Sequence, residues 1–422
     1  MSRIALVSSE PLRPRMAGIG IRYLEMARHL GGEGFEVVAV SPASTEEMSE
    51  VLGSEVAATS FERGALSHQL AGCQAVVAQG QLANDVVLEC PSLPSVVDLY
   101  DPWLVENLHY FETLGLDPYR NDHATWMLQM SRGDFFLCSS EEQRLYYLGL
   151  LTALGRVHPQ SVASDPGATG LLGICPFGVP GAVPEHRPWL EPSERPRILF
   201  GGLYDWYDPE CLLEALDGML DLDWQLLFVR SPNAGETPQR KLAEVTASAH
   251  RRGWANDADD ARVRFIDWVP YERRYDLLRD VDLLATTHLP SLETDLSLRT
   301  RFLDALVAEV PVLTSQGGAM SRLLVEHGAG WVVPPGDPSE LASALRQILT
   351  SVDERQTRVA AGRTLARKFS WAAALEPLVE FLRAPQVDPW KEDFAFSPGT
   401  RAPADRWEFR ARRKLRRLWS GS

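Results

Sequence analysis

Residues 3–40 read RIALVSSEPLRPRMAGIGIRYLEMARHLGGEGFEVVAV, and this stretch decides the fold. Arg3–Ser8 and Glu36–Val40 are short apolar runs of strand type. Between them, Tyr23, Ala27 and Leu30 recur at i, i+4 and i+7 within Ile21–Leu30, flanked by Leu24 and Met26. That spacing collects apolar side chains on one face of a helix. Strand, helix and strand in this order form a βαβ unit on a parallel sheet.

The alternation continues outward. Ala75–Ala78, Ser95–Leu99, Asp134–Cys138 and Gly173–Cys175 are further strand runs. Around Val179–Arg197 the chain turns polar and carries five prolines in 19 residues, which neither a helix nor a central strand accepts. Strand runs then resume at Arg197–Phe200, Gln225–Val229, Arg262–Ile266, Asp282–Thr286, Pro311–Thr314 and Gly330–Val333, with helices at Ser339–Leu349 and Val352–Phe369. The expected fold is α/β, with two Rossmann-like doubly wound parallel-sheet domains facing across a cleft. Residues 1–180 form the first domain, 181–196 a Pro-rich linker acting as a hinge, and 197–370 the second domain. Residues 371–400 are expected to return to the first domain, ahead of a tail at 401–422. Ligands of open α/β sheets bind beyond the carboxyl ends of the strands, which places the site in the cleft.

Composition agrees with this reading. The 422 residues suit two domains, and 45% hydrophobic with 23% charged residues excludes disorder, collagen and a disulfide scaffold. A net charge of −15 argues against the whole chain coating nucleic acid. Five isolated cysteines, with no CxxC and no zinc spacing, point to buried thiols in a reducing compartment. No signal peptide and no apolar run of membrane-spanning length occurs, so a cytoplasmic protein is expected.

Four segments carry a family resemblance: MAGIGIRYLEMARHL, GDFFLCSSEEQRLYYLGLLTALGR, FIDWVPYERRYDLLRDVDLLATTHLPSLE and DALVAEVPVLTSQGGAMSRLLVEHGAGWVVPPGD. Together they resemble a glycosyltransferase of GT-B architecture, family 4 (glycosyl transferases group 1), from Ile4 to Asp388. The resemblance implies a first domain for the acceptor and a second for a nucleotide diphospho-sugar, retention at the anomeric carbon, and no essential metal or cofactor beyond that co-substrate. Polysaccharide, glycoconjugate or secondary-metabolite synthesis would fit, with a carbohydrate, lipid-linked or small-molecule acceptor.

Residue by residue, Gly18 and Gly20 lie where backbone amides could approach a phosphate or sugar, or where the helix simply needs close packing. Arg22 could reach the same ligand or pair with Glu25. Asp101, ending SVVDLYD after Asp98, matches the family's acidic or His position at the donor–acceptor junction, where it could orient the acceptor hydroxyl. An Asx turn before Pro102 is the structural alternative. His109 is expected to be a structural histidine, while His288 ends a strand facing the cleft, where a structural hydrogen bond explains it equally well.

Two departures from the family stand out. Its E-x7-E pattern is stretched here to ten intervening residues, leaving Glu293 for the sugar and Asp304 for the ribose. Its Arg–Lys pair after the first strand of the second domain falls on Gly202 and Tyr207. Losing one such preorganised donor typically costs about 2.7–4 kcal/mol. Arg299 and Arg301, beside Ser297 and Thr300 at a helix start, are the expected substitutes. Gly317 and Gly318 match the family's diglycine loop, with Ser321 where an acid is usual. Trp268 and Tyr271 stand where the base normally lies, with aromatic packing the equal alternative, and Arg230 is a further phosphate candidate.

No DxD follows a strand, and no Walker loop or G-x-S-x-G occurs. The tail holds eight basic residues against Asp405 and Glu408, a formal +6 that leaves −21 on the preceding 400 residues. Trp407, Ala411, Leu415, Leu418 and Trp419 share one helical face. Such a helix lies on an anionic membrane as a peripheral contact, or packs on the acidic body, or stays disordered. The rivals to a glycosyltransferase are a pseudo-glycosyltransferase or sugar-nucleotide epimerase of this architecture, and a catalytically silent binding protein.

Overall fold

The computed structural model describes residues 2–230, 240–256 and 260–393. Seven strands form the first sheet: β1 (Arg3–Val7), β2 (Glu36–Ser41), β3 (Ala57–Ser60), β4 (Ala75–Ala78), β5 (Ser95–Asp98), β6 (Phe135–Cys138) and β7 (Leu172–Ile174). Their order is β3-β2-β1-β4-β5-β6-β7, and every pairing is parallel. The second sheet holds β8 (Arg197–Phe200), β9 (Gln225–Val229), β10 (Val263–Ile266), β11 (Leu283–Thr286), β12 (Val312–Ser315) and β13 (Trp331–Val333). It is also parallel, in the order β10-β9-β8-β11-β12-β13.

Helices cover both faces of each sheet, so central strands such as β4, β6 and β9 are buried along their whole length and must be continuously apolar. β3 is the exception. Its sequence is AATS, it pairs only with β2 at the sheet edge, and it is partly exposed. Lacking an apolar run, it was not among the expected strands.

In each sheet the strand order reverses at one point, between β1 and β4 and between β8 and β11. The chain leaves adjacent strand ends in opposite directions there, which opens a crevice at the carboxyl edge. Both crevices face the same interdomain space. Gln143 spans it, its Nε2 donating to the Tyr100 carbonyl (3.0 Å) and to the Leu296 carbonyl (2.9 Å). Arg322 pairs with Glu142 at 2.9 Å, and the Tyr271 hydroxyl donates to Glu25 at 3.2 Å.

The segment between the domains is pinned rather than loose. Asp280 accepts from the amides of Trp189 and Leu190, Asp276 accepts from the Arg187 amide, and Arg273 lies over the Trp189 ring. The hinge-like freedom expected of all 181–196 is therefore curtailed over 187–190, which is anchored to the second domain.

After the helix Val352–Ala366 the chain crosses back. Helices Trp371–Ala374 and Glu376–Arg383 bury Trp371, Leu375, Leu378, Val379 and Leu382 in the core under the first sheet, and Phe381 stacks on Phe135 at 4.7 Å. Gly178 makes room for this crossing, because a Cβ there would sit 2.3 Å from the Trp371 ring. The basic tail at 401–422 lies outside the described residues.

Candidate active site

A cavity of about 370 Å³ lies between the carboxyl edges of the two sheets. Its walls are loops that leave strand ends: Glu10 after β1, Tyr100–Pro102 after β5, Gly201 after β8, Trp268 after β10 and Thr286 at the end of β11. Charge is divided across it. The first domain contributes Glu10, Asp101 and Glu106, while the second contributes Arg274, Arg299, Arg301 and Asp304.

Asp101 lines this cavity, and a side-chain hydrogen bond joins it to Glu106, one turn into the short helix Trp103–Asn107. Two carboxyl groups can bond in this way only if one keeps a proton. Burial first, and then the nearby charges of Glu293, Asp98 and Glu10, push Asp101 up to about 6. Burial and Asp101 itself push Glu106 well above the ordinary range. Both shifts favour the pair's keeping a proton between its two carboxyl groups. Glu106 escaped the sequence reading because a five-residue spacing within an aperiodic segment carries no signal.

Asp98 does not reach the cavity. Arg22, fully buried, bonds both its oxygens at 2.7 and 3.1 Å and also donates to the carbonyls of Cys175 and Pro176. Arg22 thus fixes the end of β5 from beneath, with Tyr100 stacked on its guanidinium at 4.5 Å, and it meets neither a cavity ligand nor Glu25.

The glycine turn is likewise reassigned. The first free amides of the helix Gly18–Gly32 form an anion site, as helix starts do. Here it is filled from within, because Glu10 accepts from the amides of Ala17 and of Gly20 (2.6 Å for the latter). Gly18 borders the cavity, where a Cβ would come 3.0 Å from the Tyr100 hydroxyl. Gly20 is a packing glycine, with Met16 Cβ only 2.8 Å from where its Cβ would stand. Glu10 is the only acid between β1 and that helix, a position that could have drawn notice in the sequence.

Arg299 and Arg301 both line the cavity. Arg299 is buried, holds both oxygens of Glu293 at 2.7 Å, and lies 5.0 Å over the Tyr207 ring. Glu293 is completely buried and does not border the cavity, so its expected place on the sugar hydroxyls is corrected: it is the counter-ion that orients Arg299. Arg301 lies over Trp268 at 5.6 Å and has no ion pair among the described residues. Asp304 borders the cavity, and its Oδ1 accepts from Arg274 Nε (3.2 Å) and the Tyr275 hydroxyl (2.7 Å). Arg274, which the sequence reading passed over, is clamped over the rings of Tyr271 and Tyr275 at 3.7 and 4.1 Å. Tyr271, Trp268, Ser297 and Thr300 are wall residues too.

Other candidates fall elsewhere. Gly317 and Gly318 form a left-handed turn packed against the helix Leu292–Leu296, where added Cβ atoms would meet Thr294 at 2.5 and 2.4 Å. Neither borders the cavity, and Ser321 ties this turn by accepting from the Gly317 amide at 2.9 Å. Arg230 is exposed, pairs with Asp267 at 3.0 Å, and borders a small adjoining pocket that shares Arg301 and Tyr204 with the main one. His288 is buried, holds Thr314 at 3.3 Å, and is pushed down to about 3 by burial and by Arg299, so it stays neutral. His109 packs on Trp206. Three cysteines (Cys138, Cys175 and Cys211) are buried, while Cys73 and Cys90 are partly accessible.

Two facing parallel sheets with a cavity between their carboxyl edges constitute the GT-B architecture. Residues 195–351, the second domain, match the family model described as Glycosyl transferases group 1. The D-inositol 3-phosphate glycosyltransferase of Corynebacterium diphtheriae is 30% identical over 182 residues, which is 42% of this chain and 40% of that protein. The phosphatidyl-myo-inositol mannosyltransferase of Mycobacterium leprae is 27% identical over 188 residues, 43% of this chain and 45% of that protein. The match thus spans less than half the length of these relatives. Among solved structures, Anabaena HepE in complex with UDP and glucose superposes with a TM-score of 0.65 at 16% identity, over 91% of this chain and all of that one. No helix among the described residues is long and apolar enough to cross a membrane.

Proposed function

We propose that this protein is a glycosyltransferase that moves a sugar from a nucleoside diphosphate sugar to an acceptor hydroxyl, with retention and without a metal. The observation that carries the proposal is the polarity of the interdomain cavity. Its arginines, with Asp304, belong to the domain matched by the glycosyltransferase family model, and the carboxyl groups of Glu10, Asp101 and Glu106 belong to the other. HepE, which binds UDP and glucose, shares the fold.

The diphosphate would lie against Arg301 and Arg299, with the hydroxyls of Ser297 and Thr300 beside it. Arg301 supplies the free charge, and Arg299 supplies a guanidinium held rigid by Glu293. Such preorganised donors stabilise charge on the leaving group at no cost in reorganisation. Asp304 would take the ribose hydroxyls, and Trp268 or Tyr271 the base. In the transfer, the bond from the anomeric carbon to the phosphate oxygen breaks. The acceptor oxygen bonds to the same face, and its proton passes to the departing phosphate. The Asp101 carboxylate orients that hydroxyl, and closure of the two walls excludes water.

A mass-spectrometric panel of UDP-, GDP- and dTDP-sugars against polyol acceptors, inositols included, tests the proposal. The expected result is a glycosylated acceptor plus nucleoside diphosphate, unchanged by EDTA, whose anomeric configuration by NMR equals that of the donor. Nucleotide binding without turnover would establish the silent binding protein instead. An isomerised sugar or nucleotide released without transfer would establish the epimerase.

A further inference from the structure

The chain that leads to Asp101 is held from one helix. β5 ends at Asp98, and beyond it the buried carbonyls of the departing chain need donors from elsewhere. The helix Glu141–Ala153 supplies two in succession. Its Tyr147 hydroxyl donates to the Leu99 carbonyl at 2.9 Å. Gln143, one turn earlier on the same face, donates from Nε2 to the Tyr100 carbonyl at 3.0 Å.

The same Nε2 also donates to the Leu296 carbonyl of the second domain at 2.9 Å. Leu296 ends the helix Leu292–Leu296, and the last carbonyls of a helix have no partner within it. One amide group thus holds both Tyr100 and Leu296. The residues that follow them in the chain are Asp101 and Ser297, both in the cavity wall, with Arg299 just beyond. Gln143 is completely buried, whereas the neighbouring Arg322–Glu142 pair is partly exposed and therefore screened.

The choice of glutamine is informative. Ser140 caps the helix by accepting from the Gln143 amide at 3.2 Å, and Gln143 Oε1 accepts from the Ser139 amide at 2.7 Å. Glutamate at this third helical position makes the same kind of reciprocal cap, and the helix dipole favours its charge there. A carboxylate, however, has no hydrogen to give. Capping therefore does not account for the amide group; the two carbonyls, one from each domain, do. The Ser139 amide can only donate, which fixes the way the Gln143 amide group points.

We propose that Gln143 is a positioning residue for sugar transfer, setting the Asp101 turn of the first domain against the arginine-bearing helix start of the second. This rests on the glycosyltransferase reading and adds to it the group that aligns the two halves of the site. Separation of the domains breaks the bond to Leu296 and spares the one to Tyr100, so the alignment exists only while the cavity is closed. Placement matters at this scale, since a shift of about 1 Å can cost on the order of 100-fold in rate.

The test follows, in the full chain at saturating donor, the ratio of sugar transferred to the acceptor to sugar released by hydrolysis. Loss of folded protein lowers both products alike, so a purely structural role leaves the ratio unmoved. Gln143→Glu keeps the cap and nearly the shape but removes both donor hydrogens. Gln143→Asn keeps a neutral amide on a stem too short to span the two carbonyls, and it decides the matter should the charged variant not fold. Each is expected to lower the ratio at least about tenfold. Affinity for UDP, read by calorimetry, should stay within about twofold of wild type. A wild-type ratio in either folded variant would overturn the inference, and so would a tenfold loss of UDP affinity with the ratio intact. If the wild-type protein transfers no sugar between any donor and acceptor of the panel, the glycosyltransferase reading itself has failed; wild-type transfer with unaltered variants removes the inference alone.

Discussion

The sharpest consequence of the geometry concerns Glu293. Both its oxygens are bonded by Arg299 at 2.7 Å, and the two side chains are 0% and 8% exposed, so solvent does not screen the pair. Removing one partner of a buried ion pair costs about 3–5 kcal/mol, because the survivor is left charged and alone. Glu293→Gln is milder, since the amide oxygen still accepts from one guanidinium nitrogen. The loss is then nearer one charge-assisted hydrogen bond, about 1.5–3 kcal/mol. At roughly 2–4 °C per kcal/mol for a domain of this size, the melting temperature should fall by about 5–10 °C. Arg299 keeps its charge and its place over Tyr207, so affinity for the bare nucleoside diphosphate should hold or rise. The assay pairs thermal or urea denaturation with calorimetric titration of UDP and of the sugar nucleotide. If instead Glu293 bonds the sugar itself, stability would be unaltered while the sugar nucleotide, but not UDP, lost at least about tenfold in affinity. That result would refute the counter-ion role.

Further outcomes follow from the same contacts. Asp101→Asn should lower the transfer rate by about 10²–10⁴ and remove the inflection near pH 6 from the rate profile, because the wild-type carboxylate acts only above that pH. The sign on stability is opposite: a carboxyl raised in the folded state stabilises below its unfolded range and loses that contribution as pH rises through about 6, so Asp101→Asn should melt higher than wild type at pH 8 and show little gain near pH 4. Arg22→Met strands Asp98 and should cost about 3–5 kcal/mol by urea denaturation; recovery in the double variant with Asp98→Leu would attribute the loss to the unpaired charge, and an additive loss would not. Gly20→Ala drives a methyl group onto Met16 and should cost about 1–3 kcal/mol, whereas an unchanged melting temperature would contradict the packing role. Arg301→Ala should weaken UDP binding at least about tenfold with folding intact, since no ion pair among the described residues depends on it.

How much of this could be read from the chain varies with the kind of residue. Strands buried on both faces announce themselves, and all six of the second sheet fall on runs picked out by their apolar character. Ala57–Ser60 does not, because an edge strand with one partner needs no such run. Arg299 and Arg301 were found because a helix start with two guanidinium groups has a local meaning. Glu106 and Arg274 were missed because nothing in their local spacing marks them as cavity wall, whereas Glu10, the sole acid between β1 and the helix that follows, was legible and passed over. Glu293 and the diglycine were placed in the site by resemblance, yet Glu293 turns inward from the helix Leu292–Leu296 to hold Arg299, and the diglycine turn packs against that helix.

The sequence by itself determined two parallel α/β sheets, the junction between them and the helix start that carries the arginines, since periodicity and turn chemistry act over a few residues. Only the tertiary structure decided which charges are free to meet a ligand. That depends on partners far apart in the chain, 154 residues for Arg22 and the Pro176 carbonyl, and on which carboxyl groups burial pushes upward, as it does Asp101.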